Sequence, residues 1–273
     1  MSKKSRLAKE IDGVMEANAA VNKKAKDTSP VPTKKVKDTS PVVHQNSKIK
    51  FDLHIRERDD LTERQKVILE TMLHKDTKCV FIDGFWGTGK SFLSILAATK
   101  LLNDRRVSDL LFIRNPVESS TSGKIGFLKG SVEEKMAPYI QILHDKLEEI
   151  LPKNEIDLLA AENRIQGLPL GFTRGLSWNA KVIVVDEAAS LSYEDILLLM
   201  SRCGKFTKLF FIGDSENQND IGSKSGFKKM FDQFSDMESK ENGVFTFELK
   251  EETDIVRSDF VRFILKKVGK IKF

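Results

Sequence analysis

The sequence predicts an α/β fold, a three-layer α/β/α sandwich built on a mainly parallel sheet. Short apolar runs of strand length alternate with longer segments whose apolar residues recur at helical spacing. Two of these runs, 79–82 and 181–185, lead directly into a glycine-rich and an acidic segment, and ligand-binding groups collect at strand ends in such folds. With 273 residues, 40% of them apolar, the chain is long enough for one α/β domain with extensions or for two small domains.

The first 50 residues differ in composition from the remainder. They hold 12 Lys/Arg and 5 Asp/Glu, a net charge of +7, whereas residues 51–273 carry a net −2. The segment KDTSPV occurs twice, at 26–31 and 37–42, which is too few copies for a solenoid. We predict a disordered basic tail over 1–50 and a globular domain over 51–273. The tail either attracts nucleic acid non-specifically or only keeps the chain soluble, and the sequence leaves both open.

Composition also limits the compartment in which the protein is expected. No apolar run approaches the roughly 20 residues that a membrane span requires. The N-terminus lacks the apolar core of a signal peptide. The two cysteines, Cys79 and Cys203, show no metal-ligand spacing and suit a reducing environment. We therefore expect a cytoplasmic protein without a membrane anchor.

The globular part begins with a predicted helix that runs to about Lys75. Thr62 is placed as its N-cap and Gln65 follows three residues later, the spacing of a capping box. Gln65 has two interpretations, because its amide either completes the capping box or contacts an adenine base. The spacing by itself favours the cap.

The next segment matches the pattern G-x-x-x-x-G-K-[ST], between a buried apolar run at 79–82 and an apolar helix at 92–102. Its glycines are expected to adopt backbone angles that a side chain forbids, so that successive N–H groups surround phosphate oxygens. Lys90 is placed to reach the β- and γ-phosphates, and the Ser91 hydroxyl to hold Mg²⁺. The predicted nucleotide contacts in this segment are Gly84, Gly87, Thr88, Gly89, Lys90, Ser91 and Phe92.

The strongest strand signal, the β-branched run at 181–185, ends in two carboxylates. In this position Asp186 is expected to hold Mg²⁺, and Glu187 to orient or deprotonate an attacking water. A further strand at 209–212 ends in Gly213-Asp214, which suggests a γ-phosphate sensor but is also a common turn.

The other elements follow from periodicity and capping signals. Strands are predicted at 109–113 and 165–170, and at 244–249, where alternating polarity indicates an edge strand. Helices are predicted at 132–151, 154–163, 193–201, 225–234 and 255–267, the last with Arg257 near its start.

The order of motifs resembles that of PhoH-like proteins, and the resemblance covers residues 51–265. Its most specific part is the block Gly126-Phe-Leu-Lys-Gly130 followed by Glu133 to Tyr139, which generic phosphate-loop enzymes lack. The other matching segments are Leu61-Thr-x-x-Gln65, Gly84 to Ser91, Arg114-Asn-Pro-Val-Glu118, Arg174-Gly175, Asp186-Glu-Ala188, Gly213-Asp214 and Asp254-Ile-Val-Arg257.

The resemblance implies a single RecA-like ATPase core, similar to the first core domain of superfamily 1 helicases. It implies ATP and Mg²⁺ as ligands, Gln65 as an adenine contact, and action on RNA or single-stranded DNA. The family has members in bacteria and in phages. Two departures put the coupling of hydrolysis to strand movement in question: Ala189 stands where the family often has Gln, and Asn217 stands three residues after Asp214 where Gln is common.

Nucleic-acid contacts are expected in the loops that follow the strands. The candidates are Arg114, Lys124, Phe127, Lys129 and Arg174, with the Phe127 ring available for base stacking. The alternative for Arg114 and Arg174 is a structural ion pair with Asp or Glu.

A lone RecA-like core leaves the γ-phosphate open to solvent, where a cation usually speeds hydrolysis. Arg257 is the candidate for that cation, acting within its own chain or across the interface of a homo-oligomeric ring, most simply a hexamer. The alternative is a surface arginine paired with Asp254 or Asp259. A different class of function, a nucleotide-binding regulatory or scaffold protein with little turnover, also fits the sequence.

Overall fold

The structure, a computed structural model, describes residues 52–114, 132–173, 175, 177–217 and 221–271. These residues form six strands and eight α-helices. The strands are β1 (Cys79–Gly84), β2 (Asp109–Arg114), β3 (Ile165–Pro169), β4 (Lys181–Asp186), β5 (Lys208–Gly213) and β6 (Val244–Leu249). The helices are α1 (Glu63–Leu73), α2 (Lys90–Asn103), α3 (Val132–Glu148), α4 (Lys153–Ala161), α5 (Tyr193–Ser201), α6 (Phe227–Gln233), α7 (Met237–Glu241) and α8 (Asp259–Lys267). Among the described helices, none has the length and apolar character needed to cross a membrane.

The six strands form one parallel sheet in the order β3-β2-β4-β5-β1-β6, which confirms the predicted α/β fold. β5 lies between β1 and β4, with Phe210 paired to Val80 on one side and to Val184 on the other. Because all strands run in the same direction, their carboxyl ends meet at one edge of the sheet. The loops that follow β1, β4 and β5 therefore lie side by side.

Apolar layers cover both faces of the sheet, which explains why the strands are continuous apolar runs. On β1, Val80 and Ile82 pack into the layer that contains α1 and α2. Cys79 and Phe81 point to the opposite layer, where they meet residues of α5 and α6. Each fully buried side chain of this size contributes about 1.5–3 kcal/mol to folding, so β1 is fixed from both sides.

The C-terminal helix begins later than the sequence predicts. The predicted start at Ile255 is wrong, because Ser258 caps α8 by accepting a hydrogen bond from the Val261 backbone N–H at 3.2 Å. Arg257 therefore lies in the connecting segment before the helix. The prediction of β6 as an edge strand is confirmed, whereas α7 was not predicted at all.

Candidate functional site

The loop after β1 is shaped by backbone conformation at two glycines and by packing at a third. Gly87 and Gly89 have φ values of 83° and 80°, which side chains rarely adopt. Gly84 is not in that conformation, so the prediction of a special backbone angle there is wrong. A Cβ at Gly84 would lie 2.7 Å from both the Cβ and the carbonyl oxygen of Leu249 on β6. Gly84 is thus required by the close approach of the neighbouring strand.

Hydrogen bonds from behind hold the loop in place. The buried Thr88 hydroxyl donates to the Phe85 carbonyl at 2.8 Å. The Gly87 carbonyl accepts from the backbone N–H groups of Val256 and Arg257 at 3.0 and 3.1 Å. The loop therefore depends on the segment before α8, which lies about 170 residues further along the chain.

Lys90 begins α2 and points back along the loop. Its Nζ donates to the carbonyls of Gly84 and Phe85 at 2.6 and 2.8 Å. Burial lowers the pKa of Lys90, and nearby carboxylates oppose this shift, in decreasing order Asp214, Glu187, Asp186 and Asp83. A phosphate oxygen is a better partner for this ammonium group than a carbonyl oxygen, because the hydrogen bond is then assisted by charge on both sides.

The carboxylates at the end of β4 lie against the start of α2. Ser91 Oγ donates to Asp186 Oδ1 at 3.2 Å, so the predicted metal-binding pair is brought together. Glu187 has φ 53° and ψ 39°, a left-handed conformation that is uncommon outside glycine. Such strain costs about 1–3 kcal/mol and is concentrated at functional sites. The backbone geometry thus gives Glu187 a position that an ordinary strand end would not.

Arg114 lies at the end of β2, beside the same two carboxylates. Its guanidinium nitrogens are 3.4 Å from Asp186 Oδ2 and 3.4 Å from Glu187 Oε1. The structure therefore forms the ion pair that was the alternative to a nucleic-acid contact for this residue. Because about a third of the Arg114 side chain is exposed, the pair is open to water and can be exchanged.

At the other end of the loop, Gln65 makes two hydrogen bonds. Its Oε1 accepts from the Thr62 backbone N–H at 3.0 Å, which closes the predicted capping box, and its Nε2 donates to the Thr88 carbonyl at 3.0 Å. The adenine contact remains a prediction. The Phe92 ring lies beside Gln65 in the same cavity, with the Arg58 guanidinium carbon 4.9 Å from the ring centre.

Asp214 is fully buried after β5 and fixes a turn. Its Oδ1 accepts from the backbone N–H groups of Glu216 and Asn217 at 3.1 and 2.9 Å. The Asn217 side chain donates to both carboxylate oxygens at 3.2 and 3.0 Å. The structure gives Asp214 and Asn217 this shared structural task, and a role at the γ-phosphate stays a prediction.

Sequence reasoning missed a second buried carboxylate, Asp83 at the end of β1. Its Oδ2 accepts from Ser215 Oγ at 2.6 Å and lies 2.7 Å from Lys250 Nζ. This network joins the loop after β5 to the end of β6. The available signal was an acidic residue inside an otherwise apolar run, directly before Gly84.

Arg257 is exposed and lines the same cavity as Lys90. The two carboxylates proposed as its alternative partners pair elsewhere, Asp254 with Arg64 at 3.0 Å and Asp259 with Arg262 at 2.5 Å. The surface ion pair that was the alternative for Arg257 is therefore not formed within the described residues. The cavity position is compatible with a contact to a nucleotide bound by the same chain.

Together these elements form a cavity of about 550 Å³, within the usual range for small-ligand sites. Gly84 and Asp214 are buried rather than part of its lining. Lys124, Phe127, Lys129 and Arg174 lie outside the described residues. The cavity is lined by the predicted residues Gln65, Gly87, Thr88, Gly89, Lys90, Ser91, Phe92, Arg114, Asp186, Glu187 and Arg257.

A family model described as "PhoH-like protein" matches residues 59–268. The chain belongs to the PhoH-like family. The fold is accordingly the α/β fold of a RecA-like P-loop NTPase, and the family generally binds ATP.

Curated PhoH-like relatives are similar over part of their length. A PhoH-like protein of Bacillus subtilis strain 168 is 29% identical over 198 residues, which cover 72% of this chain and 60% of the relative. A PhoH-like protein of Mycobacterium tuberculosis strain H37Rv is 32% identical over 161 residues, 58% of this chain and 45% of the relative. Protein PhoH2 of Mycolicibacterium smegmatis is 29% identical over 157 residues, or 36% of the relative. The chain thus matches about a third to three fifths of the length of these relatives.

The cavity of this PhoH-like chain suits the ligands that its family implies. A hydroxyl and a carboxylate, from Ser91 and Asp186, are oxygen ligands of the kind Mg²⁺ prefers. In the described part of the chain no three His, Cys, Asp or Glu side chains form a metal cluster.

Proposed function

We propose that this chain is a Mg²⁺-dependent ATPase that acts on RNA or single-stranded DNA as a helicase-like remodeller. The observation that supports this most is the convergence of Lys90, Ser91, Asp186 and Glu187 on one cavity. Binding a nucleotide needs only the loop, the lysine and a metal ligand. Glu187 is an additional carboxylate, and a carboxylate in that position is what hydrolysis requires.

Each residue has a role that follows from its position. Bound Mg²⁺-ATP would supply the γ-phosphoryl group that water attacks. Lys90 exchanges its two carbonyl partners for phosphate oxygens, and the amino end of α2 adds its N–H groups. Ser91 and Asp186 would hold the metal, and Glu187 is placed to accept the proton of an attacking water.

Arg114 controls the charge at these carboxylates. Its guanidinium lies 3.4 Å from a carboxylate oxygen of Asp186 and 3.4 Å from one of Glu187, and offsets their negative charge. Phosphate is a strong bidentate partner for arginine, so nucleotide binding would draw Arg114 from Glu187 and weaken the charge pairing that opposes its action as a base. Arg114 thereby limits turnover until the cavity is filled.

The decisive experiment measures phosphate release from ATP, with and without single-stranded RNA or DNA. We expect Mg²⁺-dependent turnover that either strand raises and that chelation of the metal abolishes. A chain that releases phosphate but does not respond to any strand would contradict the remodelling part of the proposal and retain the ATPase part.

One observation favours the second candidate, a nucleotide-binding regulator with little turnover. Ala189 replaces the family's common Gln and is fully buried, and a Cβ on Gly213 would lie 3.2 Å from its Cβ. The methyl group of Ala189 offers no polar contact to a γ-phosphate or to a nucleic-acid strand. Nucleotide binding without phosphate release, at any strand concentration, would identify the regulator.

We also propose assembly into a ring, most simply a hexamer, which closes the open side of the cavity. Arg257 is the cation at the γ-phosphate, and its place in its own chain's cavity favours action within one subunit. Mixing Arg257→Ala with Lys90→Ala subunits distinguishes the two arrangements. Recovered turnover means that Arg257 acts across an interface, whereas no recovery means that it serves its own nucleotide. A monomer with full turnover would overturn the ring.

A further inference from the structure

A second cleft lies at the opposite edge of the sheet, where β1, β5 and β6 begin. It has a volume of about 890 Å³ and a floor that includes the buried residues Cys79, Leu209 and Phe245. The turn between α1 and β1 and the turn before β5 form two of its walls. No sequence motif marks this edge, and the nucleotide cavity does not extend to it.

Positive charge is concentrated around this cleft. Its Lys and Arg side chains outnumber its carboxylates by six to two, and by five to two when the buried Lys208 is left out, although residues 51–273 carry a net −2 overall. Such clustering in a neutral-to-acidic domain indicates an anionic partner rather than a general excess of lysine. The cations are Lys75, Lys78, Arg106, Lys205, Lys208 and Lys240, and the carboxylates are Asp76 and Glu241.

Two of the cations have structural roles and four do not. Arg106 donates to the backbone carbonyl of Leu73, the last residue of α1. Lys208 donates to the backbone carbonyls of His74 and Thr77, which follow α1. Within the described part of the chain, the other four have no carboxylate within ion-pair distance. These four are Lys75, Lys78, Lys205 and Lys240, and all but the last are exposed.

A buried hydroxyl in the wall of the cleft also lacks a partner. Thr77 is 2% exposed, and its Oγ1 makes no hydrogen bond to any described residue. An unsatisfied buried hydroxyl costs about 1–3 kcal/mol, so such groups are usually paired. A ligand in the cleft reaches this oxygen only if the turn before β1 shifts to expose it.

An aromatic ring stands at the rim. Phe206 is 54% exposed and has a φ of 60°, an outlier for a bulky residue. Its turn is rigid, because the Lys205 carbonyl accepts from the Ala180 N–H at 2.8 Å and the Lys205 N–H donates to Asn179 Oδ1 at 3.0 Å. The fold therefore holds this ring in solvent at the cost of backbone strain.

We propose that this cleft binds single-stranded nucleic acid, with lysines on the phosphates and a base stacked on Phe206. Free lysines provide sequence-independent affinity for the phosphate backbone, and an exposed ring accepts any base. Like charge disfavours the chain's own basic segment as the occupant, because residues 1–50 carry a net +7. The proposal rests on the proposed action on RNA or single-stranded DNA and adds a second contact surface, far from the nucleotide.

The test measures binding of a fluorescent single-stranded oligonucleotide to the full chain over a range of salt concentrations. Replacing Lys75, Lys78 and Lys205 together by Gln should weaken binding and lower the salt slope by about two units, at about 0.7 per phosphate contact. Phe206→Asn tolerates the positive φ while removing the ring, and should weaken binding roughly tenfold. Phe206→Trp should retain affinity, and the affinity for ATP should stay unchanged in every variant.

A matched control removes the same charge elsewhere: replacing the exposed Lys66, Lys153 and Lys267 by Gln should lower the slope much less. Equal salt slopes for the two triple variants would contradict strand binding in the cleft. Unchanged binding by Phe206→Asn would contradict the stacking of a base on this ring. If the parent chain binds no strand at all, the proposed function fails together with this inference. If the parent binds and the cleft variants bind equally well, only the cleft is wrong.

Discussion

The two edges of the sheet treat charge in opposite ways. At the carboxyl edge, where the strands end, the carboxylates have basic partners inside the protein: Asp186 and Glu187 pair with Arg114, and Asp83 pairs with Lys250. At the amino edge four lysines of the cleft have no carboxylate partner among the described residues. Paired groups are preorganised for a small ligand, whereas unpaired surface cations suit a polyanion that brings its own charge.

The nucleotide site needs more exact positioning of its side chains than the cleft does. A reaction requires donors and carboxylates that are fixed to within fractions of an ångström. The loop after β1 is accordingly held by hydrogen bonds from Gln65 of α1 and from the segment before α8. A strand held by its phosphates requires only positive charge and a stacking surface. Substitutions at the first edge should therefore change rates strongly, and those at the second should change affinity gradually.

The largest expected effect is on turnover. Glu187→Gln should retain ATP binding and lower phosphate release by about 10²- to 10⁴-fold, because an amide cannot accept the proton. Glu194→Gln, an exposed position in the first turn of α5, is the control and should behave as the parent. Turnover at the parent rate in Glu187→Gln would contradict the role of Glu187 as the base.

Lys90→Ala should weaken ATP binding by at least about thirtyfold, since removing a desolvated charged partner costs about 2–5 kcal/mol. Equilibrium binding of a fluorescent ATP analogue measures this directly. Lys100→Ala, on the same helix, should leave the affinity unchanged. Similar affinities for both variants would mean that the loop backbone alone holds the phosphates.

Lys208, which lies where β5 begins, should make the stability of the fold depend on pH. Burial, aided by Arg106, lowers its pKa to about 7, whereas the unfolded chain retains the usual value of about 10.4. Between pH 7 and pH 10 the unfolded state binds the extra proton, so the free energy of unfolding should rise with pH by up to about 1.4 kcal/mol per unit. Urea denaturation of the parent and of Lys208→Met at pH 7, 8 and 9 tests this. If the free energy of unfolding changes equally with pH in the parent and in Lys208→Met, the lysine stays charged in the folded protein.

Gly84→Ala tests the strand contact beside the nucleotide. The added methyl meets Leu249 at 2.7 Å, and one of the clashing atoms belongs to the backbone. The free energy of unfolding should fall by about 1–3 kcal/mol. Gly171→Ala is the matched control, because a Cβ there meets nothing within 4 Å. Equal stability of the two variants would mean that β6 moves aside freely.

The smallest effect is expected for Arg114→Gln. Without the guanidinium, Asp186 attracts Mg²⁺ more strongly, and the Mg²⁺ concentration for half-maximal turnover should fall by about two- to fivefold, as for a partly exposed ion pair. Arg105→Gln, an exposed arginine paired with Asp52, should not change it. A higher Mg²⁺ requirement in Arg114→Gln would show that Arg114 orients Asp186 instead of competing with the metal.

Much of the site was predictable because its residues are adjacent in sequence. The glycines, Lys90 and Ser91 form one contiguous motif, and Asp186-Glu187 directly follow the strongest strand signal. A local pattern of this kind fixes backbone and side chains together. The capping box of Thr62 and Gln65 was predictable for the same reason, since its two hydrogen bonds span only three residues.

What only the tertiary structure decided depends on pairs far apart in the chain. Gly84 meets Leu249 across two strands, Arg114 reaches Glu187 from another strand, and the Gly87 carbonyl is held by the segment before α8. The amino-edge cleft collects its lysines from the turn before β1, from the start of β5 and the turn before it, and from helix α7, so no window of sequence contains it. Local sequence thus determined the chemistry after β1 and β4. The order of the strands decided which distant charges neutralise one another and which remain free, because only packing sets distances between residues that the chain does not join.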